Sequence, residues 1–359
     1  MKNFNPDMLG IARNFRGFSQ TELIVRMNNS ITQASLSKIE NGDLKPSDEI
    51  VNNLSKSLNF PPRFFEHSER LNALPISLHA YRKQASTSSK ALSKMNAEMM
   101  LKMNHARTLD LVTDVPTRHD LAYLKIGQDV SNAEEAAIKL RALWKLGTGP
   151  IKDLTAAIED AGVLVFLCDF EDSNVDGVSL KMQDTAPCIF LNASQPNDRI
   201  RFTLAHELGH LVLHTEPSEH MEKEANDFAA EFLMPRASIV DKLGSISLTH
   251  YAVLKKEWKV SMAALIYRAS ALGTITASQN SYLWRQMATR GYRKVEPNEL
   301  DREPTFRVAS KLFDYARFID ADRNKIVREL SQMFDLYEDD FKALYKFDLD
   351  SMEIIEMIS

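Results

Sequence analysis

The sequence has little of what marks secreted, membrane or fibrous proteins. Its 359 residues include only two cysteines, Cys168 and Cys188, which cannot form a disulfide framework. The longest strongly apolar run, residues 162–168, is far shorter than the ~20 residues of a membrane helix. The N-terminus has no apolar signal region, and no repeat of fixed period is present. We therefore expect a cytoplasmic protein of two or three domains with no membrane contact.

The net charge of -5 hides an uneven distribution of charged residues. Residues 1–114 contain 15 lysines and arginines against 11 acidic residues, whereas residues 115–359 contain 29 against 38. A mildly basic N-terminal segment in an otherwise acidic chain favours a nucleic-acid partner for that segment. This interpretation needs the support of a sequence motif.

Periodicity and turn residues divide the chain into five segments. Short helical patterns are followed by one long helix, which has no glycine or proline between residues 77 and 115, then by helices mixed with three short strands, and finally by two further helical stretches. The segments are 1–66, 67–125, 126–245, 246–280 and 281–359. Met95, Met99 and Met103 lie at helical spacing in the second segment, which predicts a packing stripe or a dimer seam. We predict an α+β fold that is mostly helical.

The most informative segment is 201–214, RFTLAHELGHLVLH, which predicts a helix. His206 and His210 are four residues apart, so both imidazoles leave the same helix face and can reach one ion. Two imidazoles suit Zn²⁺, and Glu207 can take a proton from a water molecule that the ion acidifies. The alternative is a solvated helix face with coincidental histidines.

A tetrahedral catalytic site needs a third protein ligand, and the acidic helix predicted over 219–233 offers several. The candidates are Glu222, Glu224, His214 and His220. We favour Glu222, because Asn226 four residues later would place an amide beside it, and Glu224 stays open. We expect His214 to cap the end of its helix rather than to bind the ion.

Two stretches, TLAHELGHLVLH and EKEANDFAAEFLMP, resemble the ImmA/IrrE family of bacterial metallopeptidases. The upstream stretches GTGPIKDLTAAIEDAGVLVF, DGVSL and PCIFLN fit as well, so that the resemblance covers about residues 130–240. It implies a gluzincin-like peptidase domain with a small sheet, in which His206, His210 and a glutamate of EKEAN bind zinc and Glu207 is the base. It also implies repressor proteins as substrates, and residues 187–192 as the edge strand that aligns the substrate peptide.

The second motif is FSQTELIVRMNNSITQASLSKIENG, residues 18–42, which predicts a helix-turn-helix. Its phrases SQTEL, SLSKIENG and KPS resemble the XRE family over about residues 5–66, although the NNSIT turn is longer than that family's usual turn. An all-helical domain binding double-stranded operator DNA is implied. The residues expected to contact DNA are Gln20, Thr32, Gln33, Ser35, Ser37 and Lys38. The alternative is a five-helix module that binds protein. Residues 248–275 form a second helix-turn-helix-like pattern, which we expect to be core rather than a DNA contact.

Two functional hypotheses follow. The first is a homodimeric transcriptional regulator fused to a zinc endopeptidase that cleaves a repressor protein or itself. The second is a transcription regulator or antitoxin-like protein whose peptidase fold serves only as a sensing or partner-binding module. A weaker third hypothesis is redox control, with Cys188 on the expected edge strand supplying a thiolate to the open zinc position.

Overall fold

The computed structural model describes residues 4–67, 88–170, 175–181, 186–305, 307–319, 322–346 and 348–352. It is mostly helical with one small sheet, so the predicted α+β fold class is confirmed. The α-helices are α1 (Pro6–Phe15), α2 (Gln20–Arg26), α3 (Gln33–Glu40), α4 (Asp48–Leu58), α5 (Ser89–Val112), α6 (Ala133–Leu143), α7 (Leu154–Glu159), α8 (Asn197–Leu213), α9 (Met221–Leu233), α10 (Arg236–Ile239), α11 (Leu248–Trp258), α12 (Met262–Ala271), α13 (Ala277–Thr289), α14 (Arg307–Phe318), α15 (Arg323–Met333) and α16 (Glu338–Leu344). In the described ranges, no helix combines the length and the apolar character needed to cross a bilayer.

The sheet contains β1 (Leu164–Cys168), β2 (Gly177–Leu180) and β3 (Cys188–Asn192) in the order β1-β3-β2. Strand β3 pairs with β1 in parallel and with β2 antiparallel. The prediction that residues 187–192 form the edge strand is therefore wrong. The physical reason is that β3 is an apolar strand whose residues are all buried. Such a strand suits the middle of a sheet, where a strand pairs with a neighbour along each edge and both of its faces are packed.

The sheet separates two hydrophobic cores. Because successive side chains of a strand point to opposite faces, Cys188 and Phe190 enter one core whereas Ile189 and Leu191 enter the other. The first core joins the N-terminal helices, α5 and the C-terminal helices α14 to α16. The second joins α6 to α9 with α11 to α13. The metal-binding pattern lies on the side of the second core.

Helix α5 lies at the centre of the first core. Its Met95, Met99 and Met103 are buried there, so the predicted packing stripe is confirmed. The predicted long helix is observed from Ser89 to Val112, and residues 68–87 lie outside the described residues. Since α5 contacts both α1 and α14, it packs against both ends of the chain and is more than a connection between two domains.

The second core fixes the two helices that carry the candidate metal ligands. A Cβ atom added at Gly209 of α8 would lie 3.0 Å from Phe228 Cδ1 and 3.3 Å from the Ala225 backbone, so glycine there permits the close approach of α9. Helix α13 also belongs to this core, through Leu283 and Met287. The boundary predicted between residues 280 and 281 falls inside α13, because the buried face of that helix continues past it.

Candidate metal centre and N-terminal interface

Helix α8 is anchored along one side and leaves the other side open to the metal centre. Leu204, Leu208 and Leu211 are buried in the second core. At its first turn, Asp198 lies 2.5 Å from the buried ammonium group of Lys255, which ties α8 to α11. This anchoring fixes the direction in which the histidine side chains leave the helix.

His206, His210 and Glu222 bring one ligand atom each to a common point. The Nε2 atoms of His206 and His210 are 3.1 Å apart, and the Glu222 carboxylate lies 3.5 Å from the first and 3.6 Å from the second. Two nitrogen ligands at ~2.0–2.1 Å from a tetrahedral ion would lie about 3.3 Å apart, close to what is observed. Among the residues that the structure describes, this is the group of three whose side chains could hold a metal ion.

The outer ring nitrogens of both histidines have partners that aim the inner nitrogens at the same point. His206 Nδ1 lies 3.1 Å from Asn226 Oδ1. His210 Nδ1 lies 3.0 Å from His214 Nδ1, and His214 Nε2 lies 2.9 Å from Glu224 Oε2. Since a carboxylate only accepts, His214 donates to Glu224 and accepts from His210, which leaves His210 Nε2 with a free lone pair.

These contacts separate the four candidates for the third ligand. Glu224 is committed to His214, which lies at the C-cap of α8 as predicted. His220 is 71% exposed and lies beside Glu219. Glu222 alone among the four faces both Nε2 atoms. The expected placement of the Asn226 amide beside Glu222 is not observed. Asn226 lies one turn after Glu222 on α9, where its side chain faces α8 and orients His206 instead.

Glu207 is enclosed beside this group. Its side chain is 1% exposed, and its Oε2 accepts a hydrogen bond of 2.7 Å from the Ser179 hydroxyl of β2. Gly177 makes this approach possible, because a Cβ atom there would lie 2.6 Å from Thr203 Cγ2 and 3.2 Å from Glu207 Cγ. Sequence reasoning missed Ser179. The available signal was a polar residue between two apolar ones in a short buried strand.

Burial and the neighbouring charges shift the pKa values of these groups in different directions. Burial, opposed by His206 and Ser179, raises the pKa of Glu207. Burial, together with His206 and His214, lowers the pKa of His210 to about 2. Burial acts to lower the pKa of His206, but the hydrogen bond to Glu222 and the nearby carboxylates leave it raised. His210 is therefore neutral near pH 7, the form that binds metal.

Cys188 takes no part in the centre. It lies on the first-core face of the sheet, away from α8, and its thiol contacts the Ala186 carbonyl oxygen at 3.4 Å. Burial, with a contribution from Asp110, raises the pKa of the Cys188 thiol. The hypothesis that this cysteine supplies a thiolate to the ion is wrong, because Cys188 points to the wrong face and resists ionisation.

The N-terminal helices have the geometry of two short helices joined by a turn. Ser19 caps α2 in a capping box with Glu22, and Thr32 caps α3. Asn28 and Asn29 in the turn have φ values of 54° and 55°, a conformation that asparagine tolerates better than most residues. Leu23, Leu36 and Ile39 are buried beneath them.

The residues predicted to contact DNA occupy different positions on these helices. Thr32, Gln33 and Lys38 are exposed, and Ser35 and Ser37 are half-buried on α3. The Thr32 and Ser35 hydroxyl groups are 2.9 Å apart. Gln20 is half-buried and donates to Glu40 at 2.8 Å, so part of its amide is engaged within the domain. That these side chains contact DNA stays a prediction.

Comparisons with known proteins agree with both motifs. Residues 10–65 match a helix-turn-helix family model, and residues 158–270 match a peptidase family model described as the IrrE N-terminal-like domain. The chain carries a helix-turn-helix domain and an IrrE N-terminal-like domain. The helix-turn-helix domain implies DNA binding. No curated protein and no solved structure matches the chain.

The match to the IrrE N-terminal-like domain lies further towards the C-terminus than the resemblance to about residues 130–240 implied. It begins at residue 158, ends at residue 270 and includes α11 and most of α12. Trp258, Leu265 and Ile266 of these two helices are buried in the second core, as the sequence predicted. The second helix-turn-helix-like pattern thus packs with the domain that carries the metal centre.

Proposed function

We propose that the chain is a transcriptional regulator whose IrrE N-terminal-like domain is a zinc-dependent endopeptidase. The observation that carries the proposal is the convergence of His206, His210 and Glu222 beside the enclosed carboxyl group of Glu207. Two imidazoles and one carboxylate, with a fourth position left open, form a ligand set typical of catalytic zinc. The 3.1 Å between the two Nε2 atoms is also close to the separation of two nitrogen ligands on one tetrahedral ion.

Zinc held by these three residues would polarise a peptide carbonyl group and acidify a water molecule. Glu207 would accept a proton from that water molecule while the water oxygen attacks the carbonyl carbon. Glu207 would then pass the proton to the leaving amine. The raised pKa of Glu207 suits both tasks, since a carboxyl group whose pKa lies closer to neutrality can accept and donate. The Ser179 hydroxyl group holds the carboxylate in place.

The substrate main chain is proposed to lie beside β2. Ser179 of β2 contacts Glu207, so a peptide next to this strand would run beside the base. Strand β2 thus replaces residues 187–192 as the candidate for aligning the substrate.

A repressor protein, or a second copy of this chain, is the proposed substrate. The helix-turn-helix domain supports this choice, because a domain that binds operator DNA would bring the peptidase to the DNA where repressors bind. Gln33 and Lys38 are proposed to contact a base and a phosphate group.

The substitution Glu207→Gln tests the proposal. Zinc content should stay the same, since Glu207 is not a ligand, and cleavage of a neighbouring repressor or of the chain itself should fall by at least ~100-fold. Glu219→Gln is the matched control, because that side chain is 85% exposed. If the parent protein cleaves neither, or if Glu207→Gln cleaves as fast as the parent, the endopeptidase proposal fails. A regulator with a sensing module then remains.

A further inference from the structure

A large groove opens beside the metal centre. It has a volume of about 1230 Å³, above the range of ~300–1,000 Å³ usual for small-molecule sites. Its walls come from the first half of α8, from α9, α12 and α13, and from the chain that follows α13. We call it the aromatic groove, after Phe202, Tyr267, Trp284 and Tyr292, which line it.

The aromatic groove adjoins the metal centre. Asn226 lines it and lies 3.1 Å from Nδ1 of the proposed ligand His206. Phe202, one helical turn before His206 on α8, is also in its wall. A segment bound in the groove would therefore lie next to His206.

The part of the groove around Tyr267 is suited to a bulky apolar side chain. Tyr267 is 62% exposed although the residue is aromatic, and the small side chains of Ala263 and Ala264 leave space beside it. Exposed aromatic rings that line a concave surface are typical of binding sites, where ring contacts contribute more than their buried area. Phe202 and Trp284 are half-buried and leave ring surface available.

Two basic residues lie in the wall of the groove beside Trp284. The Arg293 guanidinium group lies 5.6 Å from the centre of the Trp284 ring, and Lys294 next to it is exposed. Within the described ranges, neither forms an ion pair. Three acidic residues lie in the wall. Glu296 is bound to Lys255 and to the backbone N–H groups at the start of α12, Asp198 is bound to Lys255, and Glu299 is exposed.

We infer that the aromatic groove binds the part of the substrate next to the scissile bond and selects an extended segment that carries a bulky apolar side chain and, near it, acidic residues. The inference rests on the proposed function, because the metal centre defines where that segment begins. The rings would contact the apolar side chain, and Arg293 and Lys294 would face the acidic residues.

The test measures peptide binding to the zinc-loaded full-length Glu207→Gln protein by fluorescence anisotropy. The probes are fluorescein-labelled decapeptides with Phe or Ala at one position and Asp-Asp, Asn-Asn or Lys-Lys two residues later. The Phe and Asp-Asp peptide should bind about tenfold more tightly than the Phe and Lys-Lys peptide. Arg293→Glu with Lys294→Glu should reverse that order, and Tyr267→Ala should reduce the preference for Phe over Ala.

Arg285→Glu with Arg290→Glu is the matched control, since these exposed residues carry the same charge and lie outside the groove. This control variant should bind the probes in the same order of affinity as the protein with an unsubstituted groove. Equal binding of all the probes, or a preference that survives the reversal at Arg293 and Lys294, would overturn the inference. Hydrolysis of the same probes by the parent protein separates the two claims. If the probes are cleaved but bind equally well, the endopeptidase proposal stands and the groove inference fails. If the probes differ in binding but none is cleaved, the groove inference stands and the endopeptidase proposal fails.

Discussion

Gly177 lies where β2 passes closest to α8, and alanine at this position tests how tightly the strand holds the base. The added Cβ atom would lie 2.6 Å from Thr203 Cγ2, 3.2 Å from Glu207 Cγ and 3.3 Å from Leu191 Cδ2. Ordinary contact would require the first of these pairs to separate by about 1 Å. Thr203 is β-branched and stiff within its helix, so we expect the strand to move away.

Overpacking of this kind costs about 1–3 kcal/mol of unfolding free energy, and we expect about 2 kcal/mol for Gly177→Ala. Moving Ser179 about 1 Å away from Glu207 should reduce peptide cleavage by up to ~100-fold. Zinc content should not change, because the ligands lie on α8 and α9. The substitution would thus separate the position of the base from the binding of the metal.

Urea unfolding, zinc analysis and cleavage rates would be measured for Gly177→Ala, Thr203→Ser and the double variant. Thr203→Ser removes the methyl group that clashes, so the double variant should recover at least half of both losses. Gly244→Ala is the control, since nothing lies within 4 Å of its added Cβ atom. The reasoning is refuted if Gly177→Ala unfolds and cleaves like the parent, or if Thr203→Ser gives no recovery.

Three further predictions concern other parts of the chain. Glu224→Gln should weaken zinc binding about 10–100-fold in a chelator competition, because it disturbs the partner of His210. Asp348→Asn should flatten the pH dependence of unfolding. Burial raises the pKa of Asp348 to about 7, so the stability that this group contributes should fall as pH rises from about 4 to about 7. Gln33→Ala should cost about 1–3 kcal/mol at an adenine-containing operator, and Lys38→Ala should weaken binding uniformly and reduce its salt dependence.

Each of these predictions has a control substitution at an exposed residue and an outcome that would contradict the prediction. Glu219→Gln should keep full zinc affinity, Asp350→Asn should keep the pH profile, and Lys56→Ala should keep DNA affinity. Unchanged zinc affinity in Glu224→Gln would mean that the chain of hydrogen bonds to the ligand has no effect. A pH slope that persists in Asp348→Asn would place the titrating group elsewhere. If neither α3 substitution changes DNA affinity, the prediction that α3 is the helix that recognises DNA is contradicted.

The convergence of the two histidines could be predicted because it depends on local geometry. Four residues along a helix bring His206 and His210 to one face whatever surrounds them. The choice between Glu222 and Glu224 was harder, since it depends on which of them meets His214. The role of Ser179 depends on the order of the strands, which the separate strand patterns do not contain.

The error over the edge strand has the same origin. The apolar strand PCIFLN had the pattern of a buried strand, but the resemblance implied that it lies at the edge. Pairing on both sides with β1 and β2 follows from the chain's path, which periodicity does not encode. Helical periodicity likewise predicted the C-terminal helices without showing that they pack against α5 and the first core.

Metal analysis of the purified protein is the most direct test of the account. Plasma mass spectrometry should find about one zinc ion per chain in the parent protein. It should find almost none in His210→Ala, while the circular dichroism spectrum stays that of a folded helical protein. A folded parent protein that holds no metal, or a His210→Ala variant that retains it fully, would contradict the metal centre and the hydrolysis built on it.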